Sequence, residues 1–268
     1  MRTTIFHFSA AAFAFVATTA IAGGQDQPMV AGSLTSGATA GEQNAAPYFD
    51  RTGGPSGAGA VVGTAEVSGI IEAAERERYD LGESVYITLP AGANASPGDE
   101  FFTYLLDTAR DNRGQVVIPT GVLQVVKAGV GPEATTARIV QEFGNVRLRQ
   151  GVLPLPAAVA ASPTPPSPVD DGIVTHVEWV SDDAVLPGVQ YYVALAASEH
   201  DGVHVGDRFT IYRPPTHVGE GTTVLPEVEI AVVQVVRVTA RGSTALVIDQ
   251  TQPAIRPGVA ARLSAKAP

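Results

Sequence analysis

The densest group of side chains able to hold a metal ion is Glu199-His200-Asp201-Gly202-Val203-His204, with Asp207 three residues further on. His200, Asp201 and His204 could offer imidazole and carboxylate ligands to a divalent cation. A metal centre also needs ligands that converge and outer hydrogen bonds that orient them. This stretch reads instead as a solvated hairpin loop, so no metal is assigned. Acid–base chemistry would need paired carboxylates. Asp170/Asp171 and Asp182/Asp183 are adjacent in loops, and Glu227 and Glu229 alternate on one side of a strand. Glycosidase-like work would require a second carboxylate facing them across a cleft. Solvent-facing charge that guards a sheet edge is the better reading. No Gly-x-Ser-x-Gly, no His-Glu-x-x-His and no phosphate-cradling loop occurs; the Gly-rich stretch 53–63 lacks the lysine. The sole tryptophan, Trp179, reads first as a core filler and second as a stacking platform for a sugar ring. With Tyr191 and Arg213 it forms the candidate ligand or partner surface. No catalytic residue and no cofactor is assigned, and the reading is non-enzymatic.

These residues must be positioned by elements that the chain writes twice. "SPGDEFFTYL" (Ser96–Leu105) returns as "HVGDRFTIYR" (His204–Arg213). Around it, "LGESVYITL" matches "PGVQYYVAL", "GVLQVVKAG" matches "AVVQVVRVT", "TTARIVQ" matches "STALVID", and "LRQGV" matches "IRPGV", in one order. Strands by chance would match once, not in series, so the pattern is an internal duplication of a unit of about 90 residues. Runs rich in β-branched and aromatic residues, separated by Gly- and Asp-containing turns, make each unit all-β, a small barrel or sandwich. The one helix-like stretch is 71–78. Gly98-Asp99 and Gly206-Asp207 read as structural turns at the start of a strand. Glycine supplies the backbone freedom and aspartate caps through its carboxylate. Phe101 and Phe209 then point inward, with Thr103 and Ile211 on the same face.

Two stretches of low complexity divide the chain. Residues 23–60, rich in Gly, Ala, Ser and Thr, read as a disordered leader; only Pro47-Tyr48-Phe49-Asp50 carries anchor-like side chains. Residues 154–170 hold five prolines from Pro156 to Pro168. Proline lacks the amide donor of a sheet ladder, so this segment reads as a semi-rigid spacer that decouples its neighbours. The expected domains are therefore 61–153 and 171–264. Residues 1–22 read as a Sec-type signal peptide: Arg2, an apolar run to about Val16, then Ala20-Ile21-Ala22 as the cleavage site.

The formal net charge is −10, and no Lys/Arg cluster is present. Nucleic-acid binding is excluded on that ground, since phosphates must be neutralised by cations. No further apolar run is long enough for a membrane span in the mature chain. The chain has no cysteine, which excludes disulfides, thiol catalysis, zinc–thiolate sites and a lipid-anchored lipoprotein form.

The pattern Tyr192-x-x-Leu195, Gly206-Asp207-x-Phe209-x-x-Tyr212-Arg213, Thr244-Ala245-x-Val247 and Ile255-x-x-Gly258 resembles the paired C-terminal β-domains of bacterial envelope proteins that often carry a LysM module upstream. More loosely, it is similar to the C-terminal domain of the flagellar assembly protein T. The first unit matches at Tyr86, Leu89, Gly98, Asp99, Phe101, Tyr104, Thr136, Ala137, Ile139 and Gly151, with Leu105 in place of the arginine. No LysM-like segment is present. The resemblance implies an exported envelope setting and transfers no glycan site or catalytic residue. The expectation is a periplasmic or secreted scaffold whose partner is an envelope protein or, alternatively, peptidoglycan.

Overall fold

The computed structural model describes residues 38–65, 77–108, 114–160, 162, 164–181, 184, 186–218 and 223–268. The signal-peptide segment, the Asp182/Asp183 pair and most of the helix expected at 71–78 lie outside them. Two six-stranded antiparallel barrels dominate. The first is built from β2 (Gly59–Thr64), β4 (Ser84–Thr88), β5 (Glu100–Thr108), β6 (Gln115–Lys127), β7 (Thr135–Glu142) and β9 (Gly151–Pro154), with a small ladder of β3 (Arg78–Tyr79) and β8 (Val146–Arg147). The second uses β11 (Val174–Val180), β12 (Tyr192–Leu195), β13 (Arg208–Arg213), β16 (Val228–Thr239), β17 (Gly242–Gln250) and β18 (Ala260–Lys266). Their strand orders, β6-β5-β9-β2-β4-β7 and β16-β13-β18-β11-β12-β17, are the same order twice. The ring is closed by β6–β7 in one barrel and by the β13–β18 and β16–β17 pairs in the other. Closure removes the open edges that a sheet of this size would otherwise expose.

Register makes the duplication exact at the level of side chains. Phe101 lies opposite Leu123, and Phe209 opposite Val233. Val125 lies opposite Ala137, and Val235 opposite Ala245. Phe101 and Phe209 are buried among the aliphatic side chains that fill each barrel, as the alternation predicts. Ladder register moves two of the matched sequence blocks by two residues. Val85 and Ile87 correspond to Val193 and Leu195, since they face Ala137 and Thr135 as the latter pair face Ala245 and Ser243. A shift of two keeps every side chain on its own face of the sheet, which is why sequence alone tolerates it.

The barrels differ at one plugged end. Thr103, Thr120 and Gln150 are buried in the first, joined Oγ1 to Oγ1 at 2.8 Å and by Thr120 Oγ1 donating to Gln150 Oε1 at 2.8 Å. Gln150 Nε2 then donates to the Asn145 carbonyl at 2.7 Å. Ile211 and Ile230 hold the corresponding places in the second barrel and are buried without polar atoms. Both solutions satisfy burial, one by a closed hydrogen-bond chain and one by hydrocarbon.

Two backbone positions carry a side chain at positive φ in only one copy: Gln190 (φ 72°), where the first barrel has Gly82 (φ 87°), and Arg149. The amide of Arg149 donates to the Val61 carbonyl, and that of Gly258 to the Val177 carbonyl. The two residues thus occupy the same site, with φ of 68° and 88°. A side chain in the left-handed region costs about 1–2 kcal/mol. Arg149→Gly is therefore expected to stabilise the chain, by up to about 1 kcal/mol after the extra entropy of unfolded glycine is deducted. A denaturant midpoint that moves downwards would contradict this.

The described residues of the leader (38–60) and of the spacer depart from the disordered, decoupling segments expected there. Thr39-Ala40-Gly41-Glu42 forms a capping box: Thr39 Oγ1 accepts from the Glu42 amide at 3.2 Å, and Glu42 Oε2 accepts from the Thr39 amide at 2.7 Å. It starts a short helix, α1 (Ala40–Ala45), followed by strand β1 (Tyr48–Asp50), which pairs antiparallel with β6. Ala38, Gln43, Asn44 and Ala46 are buried. In the spacer, Ser167 and Pro168 form a short strand β10 against β18, an edge position where the missing proline amide is harmless. Val159 exchanges backbone hydrogen bonds of 2.8 Å with the Gln43 side chain. Leader and spacer thus pin each other against the barrels.

Candidate functional site

The two barrels meet along a seam, which is the candidate site. Val116 of β6 is buried in a cluster with Trp179 of β11 and Ala194 of β12, and Phe49, Ile118 and Tyr192 pack around them. Trp179 is only 7% exposed. The core-filler reading of this residue is the one the geometry favours, with the refinement that the core is the junction between barrels. Arg51, just beyond β1, forms an ion pair with Glu178 of β11. Thr244 Oγ1 donates to the Pro47 carbonyl at 2.5 Å, and Tyr192 Oη donates to the Glu42 carbonyl at 3.2 Å. The Pro47–Asp50 stretch, the one anchor-like piece of the leader, is thus a clamp across the seam.

Arg237 of β16 lies within the clamp. Its guanidinium donates to the Gln43 carbonyl at 3.2 Å and stacks 5.3 Å from the Tyr48 ring centroid and 5.9 Å from that of Phe102. Aromatic faces attract a cation that has been withdrawn from water. Burial pushes the Arg237 pKa down, opposed by the neighbouring tyrosines, Tyr48 and Tyr192. Burial likewise pushes Tyr48 and Tyr192 up, each to about 12. Unfolded tyrosine ionises near pH 10, so below that value both states keep the proton and these groups contribute no pH dependence. Between about pH 10 and about 12 the unfolded chain has released protons that the folded chain holds, so stability falls as pH rises. Tyr48→Phe and Tyr192→Phe are each expected to flatten part of that alkaline slope in chemical denaturation at stepped pH. An unchanged slope in the double variant would refute the assignment.

A cleft of about 260 Å³ opens on the seam, lined by Pro47, Phe143, Trp179, Ser181, Gln190 and Tyr191 among others. Two sequence candidates, Trp179 and Tyr191, come together here. Arg213 does not join them: it borders a separate cleft of about 380 Å³ with Val228, Ile230 and Arg256.

The paired Gly-Asp turns match in geometry and differ in load. Gly98 and Gly206 have φ of 96° and 95°, which only glycine adopts without strain. Asp99 Oδ2 accepts from the Ser96 amide at 2.7 Å, and Asp207 Oδ2 from the His204 amide at 2.9 Å. Asp99 is exposed. Asp207 is fully buried and also accepts from Lys266 Nζ at 2.7 Å and the Ala267 amide at 2.8 Å. It therefore ties the C-terminal strand to the turn.

In the histidine stretch, Asp201 Oδ2 accepts from both Ser198 N and Ser198 Oγ at 2.8 Å. These bonds hold its carboxyl below the usual carboxylate range. Its oxygens serve a tight turn at Glu199–Asp201. Among the described residues, no three histidine or carboxylate side chains converge as a metal site. Glu227 forms an ion pair with Arg262 at 2.8 Å on the outer surface of the second barrel, with Arg262 stacked over Tyr212 at 4.8 Å. Of the clamp residues, Tyr48 lies in the one anchor-like stretch of the leader, whereas Thr39, Gln43 and Arg237 were not singled out by sequence. The Thr-x-x-Glu signature at 39–42 was the available signal for the first of them.

Against this geometry, the sequence matches no family model and no curated protein.

Proposed function

We propose that this chain is an exported, non-enzymatic module of the bacterial cell envelope that works as a rigid scaffold for a protein partner. The observation that carries the reading is the use made of buried ionisable groups. Asp207 ties a turn to the C-terminal strand, and Arg237 with Tyr48 and Tyr192 clamps the leader to both barrels. Groups that an enzyme would aim at open space are here bonded to the chain itself. The resemblance to paired envelope β-domains and the signal-peptide pattern support the export part. Expressed with its first residues in a bacterial host, the protein is expected in the osmotic-shock fraction with a new N-terminus near Gly23. Photo-cross-linking through an amino acid placed at Gln190 is then expected to trap one envelope protein. Retention in the cytoplasm with Met1 intact would overturn the reading.

The seam cleft favours a second reading, a peptidoglycan or other carbohydrate ligand. Tyr191, Trp179 and Phe143 offer ring faces, and Ser181 and Gln190 offer hydrogen bonds, the two ingredients of sugar recognition. Co-sedimentation with isolated sacculi, lost in Tyr191→Ala, would support it. Wild-type protein remaining in the supernatant would remove it.

A further inference from the structure

The second barrel carries an opening of its own, away from the seam. Arg213 and Val228 form the last rung of β13 with β16. Beyond it the two strands run into a short hairpin, β14 (Thr216–His217) with β15 (Val224–Leu225). At the root of that hairpin lies the cleft of about 380 Å³, lined by Arg213, Val228, Ile230, Ile255, Arg256 and the loop Gln252–Ala254. Its floor is hydrocarbon: Ile230 and Ile255 are buried in the barrel core, and Val228 is half-buried. Its rim is cationic. Arg213 and Arg256 are exposed, and neither guanidinium has an ion pair or hydrogen bond among the described residues. Among the described residues no carboxylate lines the cleft. Glu227 is occupied by Arg262 at 2.8 Å, and Glu229 is exposed outside the lining. In a chain of formal net charge −10, this is a local surplus of positive charge.

The fold does not require this arrangement, as the first barrel shows. There the matching rung is Leu105 opposite Ile118. The amides of Phe143 and Gly144 donate to the Thr120 carbonyl as those of Thr251 and Gln252 donate to the Ile230 carbonyl, so Thr120 stands where Ile230 does. Ile118 packs into the seam cluster. One copy of this face is thus closed by the neighbouring barrel and carries a leucine; the other is open and carries an arginine. Arg147 precedes Arg149 by two residues as Arg256 precedes Gly258, so the second guanidinium is common to both copies. Arg213 is what the open copy adds.

We propose that this cleft binds the C-terminal carboxylate of a partner polypeptide whose last residue is aliphatic. Guanidinium forks match a carboxylate with paired, charge-assisted N–H···O bonds. The aliphatic side chain covers the floor and takes its apolar area out of water. Gln252 is exposed at the lip, and its side-chain amide has no partner among the described residues, so it can pair with the peptide group before the carboxylate. Ligand pockets run from about 300 to about 1,000 Å³. This one is at the small end, room for a chain end rather than a folded surface. A bare phosphate would engage the arginines and leave the floor wet. The site adds a second contact to the scaffold reading, and it rests on that reading only in taking the partner to be a protein.

The test is a titration of the mature protein, methyl-labelled at isoleucine and valine, with the free acid of N-acetyl-Ala-Ala-Val, followed by NMR. The methyls of Val228, Ile230 and Ile255 are expected to shift and to saturate. Arg213→Gln and Arg256→Gln should each raise Kd by roughly tenfold or more, as should the C-terminal amide of the same peptide, which lacks the charge. Arg213→Lys should lose less, since it keeps the charge without the fork. Both arginines are exposed, and an unchanged Tm checks that each variant folds. Three results would each overturn the proposal: no shift at these methyls, acid and amide binding alike, or a Kd that neither glutamine variant moves. So would inorganic phosphate that displaces the peptide at matching concentration, or shifts confined to Ile118 at the seam. Those outcomes leave the scaffold reading standing on the Gln190 cross-link. Retention of the chain in the cytoplasm, which overturns that reading, leaves the peptide titration as it was.

Discussion

Phe209→Ala is expected to destabilise the protein by about 3–5 kcal/mol, the range for truncating a fully buried aromatic side chain. Phe209 is completely enclosed by the side chains of the second barrel, opposite Val233 on one neighbour and Leu263 on the other. The void it would leave has walls on closed strands, which relax poorly. A flexible spacer would confine the damage to one barrel. The seam says otherwise: leader, spacer and both barrels share buried contacts at Trp179, Arg237 and Gln43. The loss should therefore reach the junction. Trp179 is the sole tryptophan and lies in that junction, so its emission reports docking while far-UV circular dichroism reports strands. In Phe209→Ala the two signals are expected to move together to a lower Tm. A tryptophan transition that stays at the wild-type temperature while the strand signal drops would show the barrels to be independent.

The second large effect separates two aspartates that sequence treats as equals. Asp207→Ala is expected to cost about 3 kcal/mol, because it removes charge-assisted bonds to three donors and strands a lysine that had a buried partner. Lys266 keeps a third of its side chain in water, which holds the cost at the lower end for a broken buried pair. Asp99→Ala removes one capping bond at an exposed turn and should cost about 1 kcal/mol. Equal losses in urea titrations of the two variants would sink this distinction. Asp207→Asn sharpens it: the amide can still accept from the His204 amide but cannot pair with Lys266 as a charge, so its loss should fall between those of Ala and wild type.

Much of the architecture is legible in residue order because strands and turns are decided locally. Alternation places Phe101 and Phe209 inside whichever partners are supplied. A residue such as Gly98 or Gly206 at φ near 95° marks a turn whatever lies beyond it. Copying such a unit copies its topology, so the duplicated pattern implied two like β-domains, and the two barrels have one strand order.

The candidate site was less legible. Trp179 and Tyr191 could be nominated as aromatic, but their meeting on a seam depends on Phe143, Pro47 and Ser181, which lie in three separate regions of the chain. Arg213 was nominated on equal grounds and lies in another cleft. The leader misled for a related reason. Gly, Ala and Thr lack the area to bury a core alone, yet small side chains let Ala38 and Ala46 approach Val236 and Leu246 closely, and that benefit exists only once a barrel is there to receive them.

By itself the sequence determined the all-β class, the duplication, the inward phenylalanines and the paired glycine turns, because each follows from interactions within a few residues. Only the tertiary structure decided that residues 38–50 clamp the barrels and that Asp207 is a buried hub while Asp99 is a surface cap. Those outcomes hang on contacts such as Asp207 with Lys266 or Arg237 with Gln43. Their partners are brought together by the closing of the whole chain, and no local preference encodes them.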